Sequence, residues 1–329
     1  MKPGDEADEA TRGSAIKLVA DLGGRLLGAA TPILIVRALS VPDLGLFQFA
    51  SATAVIVAEM ADLGLQAISV RDLVARHFGV GALLRIKGLL TAATLAALAV
   101  LPLLPPVGPL GHHEWLAVVG PLVVYFTLMG WNEQLGVILR VRGRRVQEAA
   151  TILAFRAALL VAVAVGVASG GGLLRVVWAH VAATFPVLAL AWWLMARSDS
   201  PAEAAPAIRA GALLRRALPL GVNGLLSLLS LRIELLALGI WATTVEAGLY
   251  SASLQIFMFL IVVPAAICAG AMPALTREAL RGSGPVRERT AMTLAALAAP
   301  AAAGLILVPD VLAVLFLSLI HISEPARPY

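Results

Sequence analysis

The sequence predicts an all-α polytopic membrane protein, and three observations carry that prediction. The 329 residues are 60% hydrophobic and only 14% charged, with a mean hydropathy of +0.91, whereas a soluble domain carries about a quarter charged residues. The apolar residues gather in repeated runs of ~20 or more, long enough to cross ~30 Å of hydrocarbon. Strict alternation of polar and apolar residues is missing, which leaves helices rather than a closed barrel to satisfy the backbone in lipid. The single cysteine, Cys268, excludes an intrachain disulfide.

Taken in order, residues 1–13 (MKPGDEADEATRG) read as a polar, acidic cytoplasmic tail with no cleavage site after them. Ten spans follow, at about 14–37, 44–69, 82–104, 115–138, 147–169, 173–195, 215–240, 247–274, 290–308 and 310–320. The pI near 10.0 points to topology rather than nucleic acid, because of where the cations sit. Four alternate loops hold four each: Arg71, Arg76, Arg85 and Lys87; Arg140, Arg142, Arg144 and Arg145; Arg197, Arg209, Arg215 and Arg216; Arg277, Arg281, Arg287 and Arg289. The intervening loops hold only Arg37 and Arg175. By the positive-inside rule the amino terminus and the arginine-rich loops are expected in the cytoplasm. The expected setting is a membrane crossed many times, with the amino terminus on the cytoplasmic side.

The polar linker RSDSPAEAAPAIRAG (197–211) separates six spans from the rest. On either side of it the chain repeats a phrase. VPDLGLFQFASA begins at Val41 and TVEAGLYSASLQ at Thr244, an offset of 203 residues, each with an acid followed by Gly-Leu-aromatic. An even number of spans separates the copies, so the repeat is expected to be parallel, about an axis along the membrane normal. The resulting division is a tail (1–13), a first six-helix bundle (14–195), a linker (196–213), a partial second bundle (214–320) and a tail (321–329). The tenth span is too short to cross, and LSLIHISEPARPY reads as a non-native, adaptor-like ending. Two or more helices are therefore expected to be missing from the second bundle.

Residues 36–76 (VRALSVPDLGLFQFASATAVIVAEMADLGLQAISVRDLVAR) resemble the opening hairpin of polysaccharide-export flippases. Residues 218–278, from LPLGVNGLLSLL to AMPALTRE, resemble the start of that family's second half. These are the lipid-linked oligosaccharide transporters of the multidrug/oligosaccharidyl-lipid/polysaccharide superfamily, and the resemblance spans roughly residues 14–316. It implies a two-bundle transporter around a central cavity, the first bundle complete and the second incomplete here. The implied cargo is a polyprenyl-diphosphate-linked glycan flipped outward by alternating access, with membrane lipids around it. Glycan polymerase or glycosyltransferases are the implied functional partners. No cofactor is implied.

Charged residues inside spans are costly, about 2.5–3.5 kcal/mol at a helix centre, and so mark candidate sites. Arg25, Arg156 and Arg232 are the three internal arginines, and guanidinium groups suit a diphosphate. Folding the spans as hairpins pairs Arg25 with Glu59 and brings Arg156 within a turn of Glu133. Asp21 lies on the Arg25 face, Asp62 on the Glu59 stripe, and Glu234 shares a face with Asn223. These five carboxylates are candidates for ion pairs or for coupling to a proton or Na⁺. A purely structural role, stitching helices together, competes with ligand binding for every one of these charges.

Other features read blandly. His112-His113-Glu114 lacks further ligands for a metal, and Gly170-Gly171-Gly172 is a tight turn without the spacing of a phosphate loop. No nucleophile–base pair suggests a catalytic centre. Two alternatives remain: a cation-coupled drug or metabolite antiporter of the same superfamily, and an integral-membrane glycan-assembly enzyme.

Overall fold

A computed structural model describes residues 23, 24, 27–100, 112–198, 210–255, 292, 293, 295 and 296. All regular structure among the described residues is helical. The elements are α1 (Leu27–Ala38), α2 (Val41–Glu59), α3 (Leu65–Val74), α4 (Val80–Val100) and a single turn, α5 (His112–Glu114). A π-helical turn (Trp115–Val119) leads into α6 (Gly120–Val141), followed by α7 (Arg145–Ala168), α8 (Leu173–Ala196) and α9 (Ala210–Trp241). A further helix covers 244–255, and residues 292, 293, 295 and 296 are helical too. Six of these runs are long and apolar enough to cross a membrane: α2, α4, Leu116–Val141, α7, α8 and α9. The chain is an all-α polytopic membrane protein. The expected spans 9 and 10, and the terminal segments 1–13 and 321–329, lie outside the described residues except for 292, 293, 295 and 296.

Helix starts and stops follow local chemistry. At α2 the Ser40 hydroxyl accepts the Asp43 amide at 3.3 Å and donates to the Asp43 carboxylate at 2.8 Å, and Pro42 occupies the first turn. The α7–α8 connection is the glycine turn expected from Gly170-Gly171-Gly172, with φ of 107°, 60° and 97°, a region closed to most side chains.

One span departs from the sequence reading. The run 44–69 is two helices, because α2 ends at Glu59 and α3 starts at Leu65. Between them Leu63 and Gly64 are left-handed, with φ of 43° and 81°. The N-cap of α3 is the left-handed Gly64, and Asp62 supports the break: its carboxylate accepts the Gln66 backbone amide, a free donor of the first turn, at 3.1 Å. Its other oxygen takes the Lys87 ammonium at 2.6 Å. Lys87 is not a loop cation as the charge pattern suggested; it lies in α4 with its side chain 2% exposed.

Two buried clusters hold the helices. One gathers Phe47 and Phe49 of α2, Leu122 and Tyr125 of α6, Phe155 and Leu159 of α7, and Val176 and Val187 of α8. The other joins Leu65 and Ile68 of α3, Leu83 of α4, Leu135 of α6, and Leu213 and Ala217 of α9. α9 runs along α2 and α3. Between membrane helices close van der Waals fit and small residues do what the hydrophobic effect does in water, and glycine makes this contact. A Cβ on Gly45 would overlap the Thr244 carbonyl oxygen, and one on Gly248 would overlap the Val41 carbonyl oxygen. Farther along, Gly239 abuts the Phe49 ring, and Gly64 and Gly221 touch backbone to backbone.

The first of these contacts is reciprocal. Positions 41 and 45 carry the same numbers as 244 and 248 after the offset of 203, and each glycine meets the carbonyl that corresponds to the one its counterpart meets. The caps match too. Thr243 accepts the Glu246 amide at 3.2 Å and donates to its carboxylate at 3.0 Å, as Ser40 does with Asp43. The repeated phrase is thus a capping box followed by a glycine, and its two copies pack on each other.

Candidate functional site

A cavity of about 180 Å³ lies among α1, α2, α6, α7, α8 and α9. Arg156 of α7 and Arg232 of α9 both line it, with Thr31 of α1, Gln48 and Ser51 of α2, His180 of α8 and Gln255. Among the described residues no Asp or Glu lines it, and neither arginine has a carboxylate within ion-pair distance. A guanidinium keeps its charge at any physiological pH, so the cavity carries two fixed positive charges. Gly28 makes room for one of them: a Cβ there would stand 3.4 Å from the Arg156 Nη1.

His180 shapes the same wall. It is buried, and its Nδ1–H donates to the Val176 carbonyl at 2.7 Å, which leaves Nε2 as the ring's acceptor. The Phe47 ring lies 5.5 Å and the Tyr125 ring 5.0 Å from it, the latter edge-on. Cations, amides, hydroxyls and aromatic faces therefore meet in one place, a set that suits an anion carrying polar and apolar parts.

A second, smaller cavity of about 70 Å³ holds the carboxylates. Glu59, Asp62 and Glu133 line it with Lys87, Gln66 and Thr127. Lys87 is committed to Asp62, and the Gln66 amide donates to Glu133 at 3.2 Å. The Thr127 hydroxyl is buried without a hydrogen-bond partner. α9 passes over this group, since a Cβ on Gly224 would lie 3.6 Å from the Glu59 carboxylate. Among the described residues no group of three His, Cys, Asp or Glu side chains is arranged to hold a metal ion.

A third cluster sits where the arginine-rich loops begin. Asp72, at the end of α3, has a fully buried side chain, yet three cationic or basic groups converge on it. Arg71 Nε is 2.7 Å away, His77 Nδ1 3.5 Å and Arg216 Nη1, from α9, 3.6 Å. Burial pushes the Asp72 carboxyl up, but the hydrogen bond and charge of Arg71, with His77 and Arg216, outweigh it and hold it below the ordinary carboxylate range. The exposed Glu246 carboxyl is also held low, by the Thr243 backbone amide first and its hydroxyl second.

Against the sequence expectations the charges regroup. Arg25 and Asp21 lie outside the described residues, and with them the expected Arg25–Glu59 pair. Arg156 makes no ion pair with Glu133; the two line different cavities, and Glu133 takes Gln66 instead. Glu234 accepts the Tyr250 hydroxyl. Arg156 and Arg232, 76 positions apart, were not linked by any spacing and meet only in the fold. His180 and Lys87 were missed. Lys87 left a signal, being one of three lysines in an arginine-rich chain and flanked by apolar residues in LLRIKGLL. The sequence matches no family model, no curated protein and no solved structure.

Proposed function

We propose that the chain is a membrane transporter that moves an anionic, lipid-linked glycan, a polyprenyl-diphosphate-linked oligosaccharide, from one leaflet to the other. One observation carries this reading: two arginines, from helices on opposite sides of the 196–213 linker, share a cavity that no Asp or Glu among the described residues lines. Each unpaired cation in a span is expensive, and a diphosphate held between them offsets that cost with charge-assisted hydrogen bonds. The amides and the Phe47, Tyr125 and Phe126 rings beside them suit sugar hydroxyls and faces. In this reading the arginine-rich loops face the cytoplasm, where cargo is built, and the reciprocal glycine contact is the hub about which the two halves rock. Glycosyltransferases upstream and a glycan polymerase downstream are its functional partners, in a bacterial inner membrane.

A cation-coupled antiporter is the second reading, favoured by the buried, unpartnered Thr127 hydroxyl facing Glu59 and Glu133. Two measurements separate the readings. Arg156→Ala and Arg232→Ala, each at normal protein level, are expected to abolish or strongly reduce glycan export, and to weaken binding of undecaprenyl diphosphate by about 10- to 100-fold, the loss of one charge-assisted hydrogen bond. Wild-type export and binding in both variants would remove the arginine cavity from the argument and leave the antiporter.

A further inference from the structure

α3 touches the first bundle through α6 and the second half through α9. Its beginning is a bend rather than a continuation of α2: Leu63 and Gly64 are left-handed, and Asp62 ties the bend to Lys87. Here Gly64 meets Gly221 of α9 with no side chain between the two backbones. Its end is tied across the same interface by Asp72 and Arg216.

The order of features along both helices places α3 between the arginine cavity and the arginine-rich loops. On α2 the cavity residues Gln48 and Ser51 come first, then Glu59, then the bend. On α9, read backwards, Arg232 lines the cavity, Gly224 covers Glu59, Gly221 meets Gly64 and Arg216 meets Asp72. Beyond α3 begin the arginine-rich loops. Past the far end of α9, α2 meets the 244–255 helix through Gly45 and Gly248 against the Thr244 and Val41 carbonyls, with no ion pair across that contact among the described residues.

We propose that α3 is a latch that closes the arginine cavity toward the arginine-rich end of the protein, hinged at residues 60–64 and fastened by the Asp72–Arg216 ion pair. The inference rests on the transport reading and adds to it the element that opens. The fastening suits release. The Arg216 side chain is 45% exposed and 3.6 Å from the carboxylate, a half-solvated pair of the kind that forms and breaks at little cost. Asp72 keeps Arg71 and His77 when Arg216 leaves, so opening strands no buried charge. The bend is already in left-handed conformations, so rotation there disturbs no regular helical turn.

The test reads access to the cavity and needs no cargo. In the full-length chain with its single cysteine removed (Cys268→Ser), Ser51→Cys places one thiol on the cavity wall. A membrane-impermeant maleimide is added to sealed vesicles presenting the arginine-rich loops. Arg216→Gln is expected to raise the labelling rate about fivefold, the factor that one half-exposed ion pair allows. Arg216→Lys, which keeps the charge, is expected to restore the slow rate. Gly221→Ala, which pushes Leu63 away from α9, is expected to raise it as well.

Equal rates in the parent, Arg216→Gln and Gly221→Ala chains would overturn the latch. So would a rise that Arg216→Lys fails to reverse, or one seen only from the opposite face. Failure of the transport reading is recorded separately, by export and diphosphate binding in the Arg156 and Arg232 variants.

Discussion

Lys87 and Arg156 are both cations in apolar helices, but they sit in opposite circumstances. Lys87 is 2% exposed and bonded to Asp62, whose own side chain is 14% exposed; Arg156 lines a cavity in which no described residue is an acid. The first is architecture. Lys87→Met leaves Asp62 beside Glu59 and Glu133 without a counter-charge, and removing one partner of a buried pair costs about 3–5 kcal/mol. Thermal unfolding in detergent should show Lys87→Met strongly destabilised, and Asp62→Asn added to it should recover most of the loss. Equal melting of Lys87→Met and the parent would mean that the pair contributes nothing. At this scale the sequence disclosed which charges were unusual but not how they group. Arg156 and Arg232 come together through helix packing, and a hairpin construction cannot see a partner 76 residues away. His180 gave no sign at all, because a lone histidine in an apolar run becomes notable only when Phe47 and Tyr125 close around it.

Among the helices, length and apolarity were legible for α4, α6, α7, α8 and α9, whose bounds fall within a few residues of the expected spans. The exception is the break between α2 and α3. It was hidden because Ala61, Leu63 and Leu65 continue the apolar run, and Asp62 reads as a membrane charge when it also holds a first-turn amide of α3. The far end of α3 has a pH signature. The Asp72 carboxyl is held low in the fold, so the stability it adds is present above its unfolded value, about pH 4, and is lost as pH falls through its lower folded value. The melting difference between parent and Asp72→Asn should therefore be full at pH 6 and shrink on acidification below about pH 4. A difference that is constant down to pH 3 would count against the cluster.

The whole molecule turns on the line where α2 meets α9 and the 244–255 helix. Gly45 and Gly248 meet carbonyl groups that cannot move aside, whereas a Cβ on Gly88 of α4 would meet nothing within 4 Å. Gly45→Ala and Gly248→Ala should each lose about 1–3 kcal/mol, the cost of overpacking. Gly88→Ala should gain about 0.5–1 kcal/mol, as a helix-interior glycine replacement does. Detergent melting curves in which Gly45→Ala behaves like Gly88→Ala would deny the close approach.

The reciprocity of that contact also couples the two copies. Val41 and Gly45 form the surface that Thr244 and Gly248 face, and the reverse holds equally. A substitution in either copy alters the neighbour it meets, so the contact constrains the two copies as one unit, not as two independent segments. Glu59 and Asp62 have no such counterpart in the sequence: the positions 203 further on are Val262 and Ala265. The phrase at Val41 and the phrase at Thr244 are thus each a mould for the other, and a change in one is felt at the other.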